Sequence, residues 1–192
     1  MIVTFRPFKA EDGAQVLAWR NSLDVADYMY GDHQIGAAEH ARWMRGVLSA
    51  DAHMHWIIEA RGAPVGVANL AKLNEAARRC ELGHYIAEPV MRGLGIGAAV
   101  EYILLQHVFE TLGLNKLWCE VLASNEGAWR LHLQFGFQRE AHFRDHVWKD
   151  GRFRDVYGLG ALAADWRGVR SVCEARLAAK GFEPAALAIR AA

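Results

Sequence analysis

The run Arg92-Gly93-Leu94-Gly95-Ile96-Gly97 sets three glycines at alternate positions beside an arginine, between a strand pattern ending near Ala87 and a helical pattern opening at Ile96. A strand-loop-helix passage of this kind leaves backbone N–H groups unpaired at the positive end of a helix, where a pyrophosphate fits. Side chains in place of the glycines would block the phosphate oxygens or forbid the turn, and Arg92 adds a positive charge. Gly93, Gly95 and Ala98 also satisfy a dinucleotide-binding pattern. That motif ordinarily follows the first strand of a βαβ series, whereas here ~85 residues of helices and an apparent meander precede it. The order of elements therefore argues against a dehydrogenase.

A second chemical cluster lies upstream. Arg20, Tyr28, Met29, Tyr30, His33, His40, Arg42 and Trp43 gather aromatic faces and cationic groups around one loop. A uracil ring can stack on such aromatics while arginine or histidine meets a diphosphate.

The elements that must position these groups follow from periodicity. Residues 2–6 alternate like a strand, and Glu11-Asp12 opens a helix with Val16, Leu17 and Trp19 on one side. A loop from about Asn21 to Gly36 leads to a helix over 37–49, with Trp43, Met44, Val47 and Leu48 as its stripe. Strands are expected at 54–60, 64–73 and 79–87, an antiparallel meander. A long helix then runs from Ile96 to Leu112 and stops at Gly113, followed by a strand over Leu117 to Leu122. Ser124-Asn125 caps a helix to Phe135, and Asp150-Gly151 turns a hairpin between strands at about 137–148 and 153–162. From Asp165 an Ala-rich helix carries Val169, Val172, Leu177 and Phe182 as anchors.

The bulk properties bound the function. A chain of 192 residues, 53% hydrophobic and without a linker-like stretch, is expected to form one domain over 1–192, with 165–192 as a helical extension. Lysine plus arginine equals aspartate plus glutamate at 22 each, so no summed field draws it to nucleic acid or an anionic membrane surface. Cys80, Cys119 and Cys173 are odd in number and widely spaced, which suits neither a disulfide framework nor a zinc site. No metal and a cytoplasmic address are expected, as is the absence of membrane spanning, because no run of 18 uncharged apolar residues occurs.

The pattern R-x-x-G-x-G at Arg92, Gly95 and Gly97 resembles the acetyl-CoA pyrophosphate motif of the GNAT N-acetyltransferase superfamily. Asn125, Ala128, Leu131-His132 and Gly136-Phe137 match a second stretch common in that family. The resemblance spans about residues 1–163. It implies an α/β (α+β) GNAT fold: a mixed, mostly antiparallel twisted sheet of about seven strands flanked by helices, here with an extra C-terminal helix. It also implies acetyl-CoA as co-substrate, held by Arg92, Gly93, Leu94, Gly95, Ile96, Gly97, Ala98 and Asn125, with backbone N–H groups near Tyr85 and Ile86 facing the thioester oxygen. Where the family commonly places a tyrosine as general acid, this chain has His132, whose imidazole can protonate the departing thiolate.

Within the family, Trp19-Arg20-Asn21, Tyr28-Met29-Tyr30, Ile35, Glu39-His40 and Trp43 resemble the N-acetyltransferases of pseudaminic acid biosynthesis. Those enzymes acetylate the 4-amino group of a UDP-linked 4-amino-4,6-dideoxy sugar. The resemblance implies acceptor contacts at Arg20, Met29, Tyr30, His40, Trp43, Lys72 and Tyr85, and a homodimer as the family-level expectation. Because an amine must be neutral to attack, a base is required, and Glu120 is favoured over Glu81, His84 or water. The cysteines lack an evident base nearby in sequence, so direct attack is expected rather than an acyl-enzyme. The alternatives are a ribosomal-type Nα-acetyltransferase, an aminoglycoside-type enzyme, and a module that binds acyl-CoA without catalysis.

Overall fold

The computed structural model describes residues 1–49 and 54–190; Ala191 and Ala192, the end of the expected C-terminal extension, lie outside them. Eight strands form one sheet: β1 (Val3–Pro7), β2 (Met54–Ala60), β3 (Ala63–Asn74), β4 (Arg79–Ile86), β5 (Lys116–Leu122), β6 (Gln138–Lys149), β7 (Arg152–Leu162) and β8 (Ala188–Ile189). Their spatial order is β6-β7-β5-β4-β3-β2-β1-β8. The pairs β4–β5 and β1–β8 are parallel and the rest antiparallel. The eighth strand, against an expected seven, is a two-residue stub after a Pro-initiated turn, too short for its periodicity to be read.

Six α-helices accompany the sheet among the described residues: α1 (Gly13–Asn21), α2 (Leu23–Ala26), α3 (Ala37–Ser49), α4 (Ile96–Gln106), α5 (Glu126–Gln134) and α6 (Ala163–Ala179). The expected loop from Asn21 thus contains one helical turn, α2. The long helix expected to reach Leu112 keeps α-helical form only to Gln106 and widens into a π turn over His107–Thr111. Helix α4 is the buried spine: Ile96, Val100, Tyr102, Ile103, Leu104 and Leu105 are all 2% exposed or less. An apolar helix of this kind needs cover on every side. The sheet supplies one side, and α6 supplies another through Trp166, Cys173 and Leu177.

Three expected anchors differ. Val172 faces outward, and the helical period gives its place to Cys173. Trp43 and Leu48 are likewise 41% and 46% exposed while Met44 fills the core of α3. The tail beyond α6 turns back so that Phe182 is buried against the glycine loop, meeting Gly95. It covers the glycine loop.

Candidate active site

The site arises where two parallel strands part. β4 and β5 pair only from Arg79↔Lys116 to Glu81↔Trp118. Beyond that point β4 continues to Ile86 and β5 to Leu122 without pairing to each other. β4 stays bonded to β3 as far as Gly66↔Ile86, so the parting leaves one edge of β4 free. Ala87 N–H donates to Val65 O, and ladder alternation therefore turns the N–H groups of His84 and Ile86 toward the fork. Tyr85 N–H points to β3, so of the expected oxyanion donors Ile86 stands on the open edge and Tyr85 does not.

A cleft of about 600 Å³ fills the fork, lined by His84, Tyr85 and Ile86 from β4, Cys119 and Glu120 from β5, and Asn125, Leu131 and His132 around α5. Arg92, Gly93 and Gly97 close its cofactor end; Arg20, Met29 and Tyr30 close the other. Gly93 and Gly95 have φ of 75° and 85°, the left-handed region that glycine enters without strain. Gly95 is also the N-cap of α4 and offers no side chain to it, so the N–H groups of the first turn remain for an anion. Leu94, Ile96 and Ala98 contribute side chains to the core rather than to the cleft, leaving only their backbone for a cofactor.

Arg92 is already engaged. Its guanidinium donates to Asp24 Oδ1 and Asp24 O, both at 2.8 Å, and to Ile86 O. It ties the cofactor loop to α2 instead of projecting freely at the pyrophosphate. Asn125 caps α5, its Oδ1 accepting from Ala128 N–H at 3.3 Å, and borders the cleft.

The acceptor end continues into a side chamber of about 360 Å³ bounded by Glu39, His40, Trp43 and His55, with Arg20, Asn69 and Tyr85 shared between the two spaces. His40 is fixed by a 2.8 Å bond between its Nε2 and Gly13 O. Met29 accepts from the Arg20 guanidinium. Lys72 differs from its expected role: it sits at a bulge with φ 49°, exposed, with Nζ 3.0 Å from Glu81 Oε2, outside both spaces. The bulge turns it away and the ion pair occupies both charges.

Four expected proton-handling groups separate clearly. Glu81 is engaged by Lys72. His84 is enclosed, and burial pushes its imidazole down to about 4, leaving it neutral and weakly basic. Glu120 lies on the cleft wall, where Oε2 accepts from Tyr30 O–H at 2.9 Å. His132 stands on the inner wall of the cleft, almost fully buried. Its Nδ1 lies 2.7 Å from Glu101 Oε1, and its ring stands 5.0 Å from that of Phe137. Burial alone would depress the imidazole, but the Glu101 carboxylate and the neighbouring Cys119 outweigh it and hold His132 well above its ordinary value. Reciprocally, burial would raise Glu101, and the His132 charge keeps it below the usual carboxylate range.

Sequence reading missed Glu101. Its signal was a single carboxylate inside the otherwise apolar stretch Ala98–Leu105 of α4. It also missed that the nearest basic group to Cys119 comes from α5, across the fork rather than along the strand.

A glycine loop that opens a helix N-terminus beside a strand fork with a free amide edge is the arrangement an acyl-CoA-dependent transferase requires. Residues 3–138 match the model of the acetyltransferase (GNAT) domain, and the chain belongs to that family. It is an acetyl-CoA-dependent N-acetyltransferase. It is 24% identical to spermidine N(1)-acetyltransferase of Escherichia coli (strain K12), over 80% of this chain and 82% of that one. The uncharacterized N-acetyltransferase YoaA of Bacillus subtilis (strain 168) is 27% identical over 80% and 90% of the two chains. Spermidine N-acetyltransferase from Vibrio cholerae, solved in complex with CoA and spermine, superposes with a TM-score of 0.79 at 22% identity, covering 86% of this chain and 98% of that one. That likeness supports the fold. Pseudaminic acid enzymes do not stand among these relatives, so that narrower resemblance has no support from them. Among the described residues, no group of three or more His, Cys, Asp or Glu is placed to hold a metal ion, and no helix is long and apolar enough to cross a membrane.

Proposed function

We propose that the enzyme acetylates the amino group of a nucleotide-linked amino sugar, a UDP-linked 4-amino-4,6-dideoxy sugar of the kind that leads to nonulosonic acids. The observation that carries this reading is Arg20, whose side chain stands in the wall shared by the main cleft and the side chamber, beside His40, Trp43 and His55. An acceptor bearing an aromatic base and phosphates finds a partner for each there. A linear polyamine carries several positive charges that a guanidinium repels. The one carboxylate among the residues lining the side chamber, Glu39, is engaged by His33 at 3.1 Å.

In the reaction, Glu120 takes a proton from the ammonium form of the acceptor, directly or through water. The neutral nitrogen attacks the thioester carbon, forming the C–N bond, while the N–H groups of Ile86 and His84 face the oxygen as it becomes anionic. The C–S bond breaks with its electron pair on sulfur, the positively charged nitrogen sheds its extra proton to water to leave the amide, and His132 gives the thiolate its proton. Solvent later recharges the imidazole.

A second reading, polyamine acetylation, is favoured by one feature. The Glu120 carboxylate beneath Tyr30 makes an acidic, aromatic seat for an ammonium group, and relatives bear that activity in their names. Release of free CoA from acetyl-CoA, followed with UDP-4-amino sugars, spermidine, aminoglycosides and N-terminal peptides, separates them. The nucleotide sugar is expected to give the highest kcat/KM, with Arg20→Ala raising its KM; preferential turnover of spermidine would overturn the reading.

A further inference from the structure

On the inner wall of the cleft, three ionisable groups from three elements meet with little exposure to solvent. Glu101 of α4 is fully buried, His132 of α5 is 3% exposed, and His84 of β4 is enclosed beside them, its ring 5.9 Å from that of His132. Glu101 Oε1 takes Nδ1 of His132 at 2.7 Å, whereas Oε2 stands 4.0 Å from His84 Nδ1, beyond hydrogen-bond reach. Neither of those two facing atoms has a hydrogen-bond partner among the described residues. A carboxylate taken from water requires a charged partner, and His132 alone has one of its hydrogen bonds. The groups facing His132 are Glu101 from α4, Cys119 from β5 and neutral His84 from β4, with Phe137 closing the last side.

We propose that Glu101 is the positioning residue of the catalytic acid: by holding Nδ1 it keeps His132 protonated and leaves Nε2 as the nitrogen that serves the cleft. This rests on the reading of His132 as the proton donor and goes beyond it, because it says why a buried histidine can carry the role that the family more often gives to tyrosine. A phenol brings its own proton at neutral pH. An imidazole so largely withdrawn from water would be neutral, and would have nothing to give a thiolate, unless a fixed negative charge stood behind it. A carboxylate at Nδ1 also sets the ring's orientation, since both nitrogens of the cation are donors and one is taken.

The test is Glu101→Gln, which keeps the shape and an acceptor oxygen for Nδ1 but removes the charge, with Glu101→Asp as the conservative comparison. His132 is followed by NMR in protein carrying isotope-labelled histidine, its signal among the nine histidines assigned by its loss in His132→Gln. The pH profile of kcat is measured alongside. In E101Q, His132 is expected to titrate at least one pH unit lower, at a proton concentration at least tenfold higher. The alkaline limb of kcat is expected to move to lower pH with it, while KM for acetyl-CoA stays within about twofold and E101D restores much of the limb. A His132 titration unchanged by E101Q overturns the inference while leaving His132 as the acid. A titration that moves without the kcat limb overturns both, because His132 is then not the donor.

Discussion

The two left-handed glycines of the cofactor loop answer to different constraints, and substituting each with alanine separates them. Gly95 has φ 85°, and a Cβ there would stand 3.0 Å from Phe182 and 3.1 Å from Lys180. Lys180 can swing away, but Phe182 is 2% exposed and cannot. Gly95→Ala should therefore combine left-handed strain of about 1–2 kcal/mol with an overpacking cost of about 1–3 kcal/mol. For a chain of this size that lowers Tm by on the order of 10 °C. Gly93 has φ 75°, but a Cβ there meets nothing within 4 Å. Gly93→Ala should cost only the strain, roughly 3–6 °C, yet it places a methyl on the cleft wall where the phosphates must approach. Thermal unfolding without ligand and calorimetric titration with CoA read the two effects. The expectation is a larger stability loss for Gly95→Ala and, for Gly93→Ala, CoA affinity weakened at least tenfold despite its milder fold defect. Equal Tm losses, or unchanged CoA affinity in Gly93→Ala, would refute this division of roles.

Three further outcomes follow from the geometry. Lys149 is buried at the end of the β6–β7 hairpin and donates to Ala26 O at 3.0 Å, anchoring the segment that carries Met29 and Tyr30; Lys149→Met should raise acceptor KM severalfold and leave acetyl-CoA KM unchanged, and equal rises in both would count against it. Direct attack predicts that intact-mass spectra after incubation with acetyl-CoA alone show no acetyl adduct on Cys119; a stoichiometric adduct that an amine discharges would replace that mechanism. His84 is held at about 4 by burial, below its ordinary value of about 6.5. The unfolded chain therefore binds the extra proton first, and stability falls as pH drops through that window; urea midpoints at pH 7 and pH 5 should differ less in His84→Gln than in the parent protein, and an equal difference would refute the assignment.

How much of this was legible in sequence depended on whether the signal was local. The glycine loop, the Asp150-Gly151 hairpin and the Asn125 cap are written in a few adjacent residues, and each is found where its spacing places it. The fork was not legible, because the parting of β4 from β5 after Glu81 and Trp118 is a property of two strands some thirty residues apart. The same holds for Arg92, which reads as a phosphate ligand until Asp24 is brought to it. Lys72 reads as a strand residue facing the cleft until the bulge turns it. Glu101 was visible only as an oddity in an apolar helix, and its meaning needed His132 from another helix.

The measurement that bears most directly on the account is single-turnover acetyl transfer by His132→Phe across pH 6 to 9, beside CoA binding by the same variant. Phe fills the space next to Phe137 and removes the proton. The transfer rate is expected to fall about 10²–10⁴-fold with CoA affinity kept. The parent enzyme is expected to slow as pH rises through the raised titration of His132, and the variant to lack this limb. A variant that transfers acetyl within threefold of the parent, with the alkaline limb intact, would contradict it.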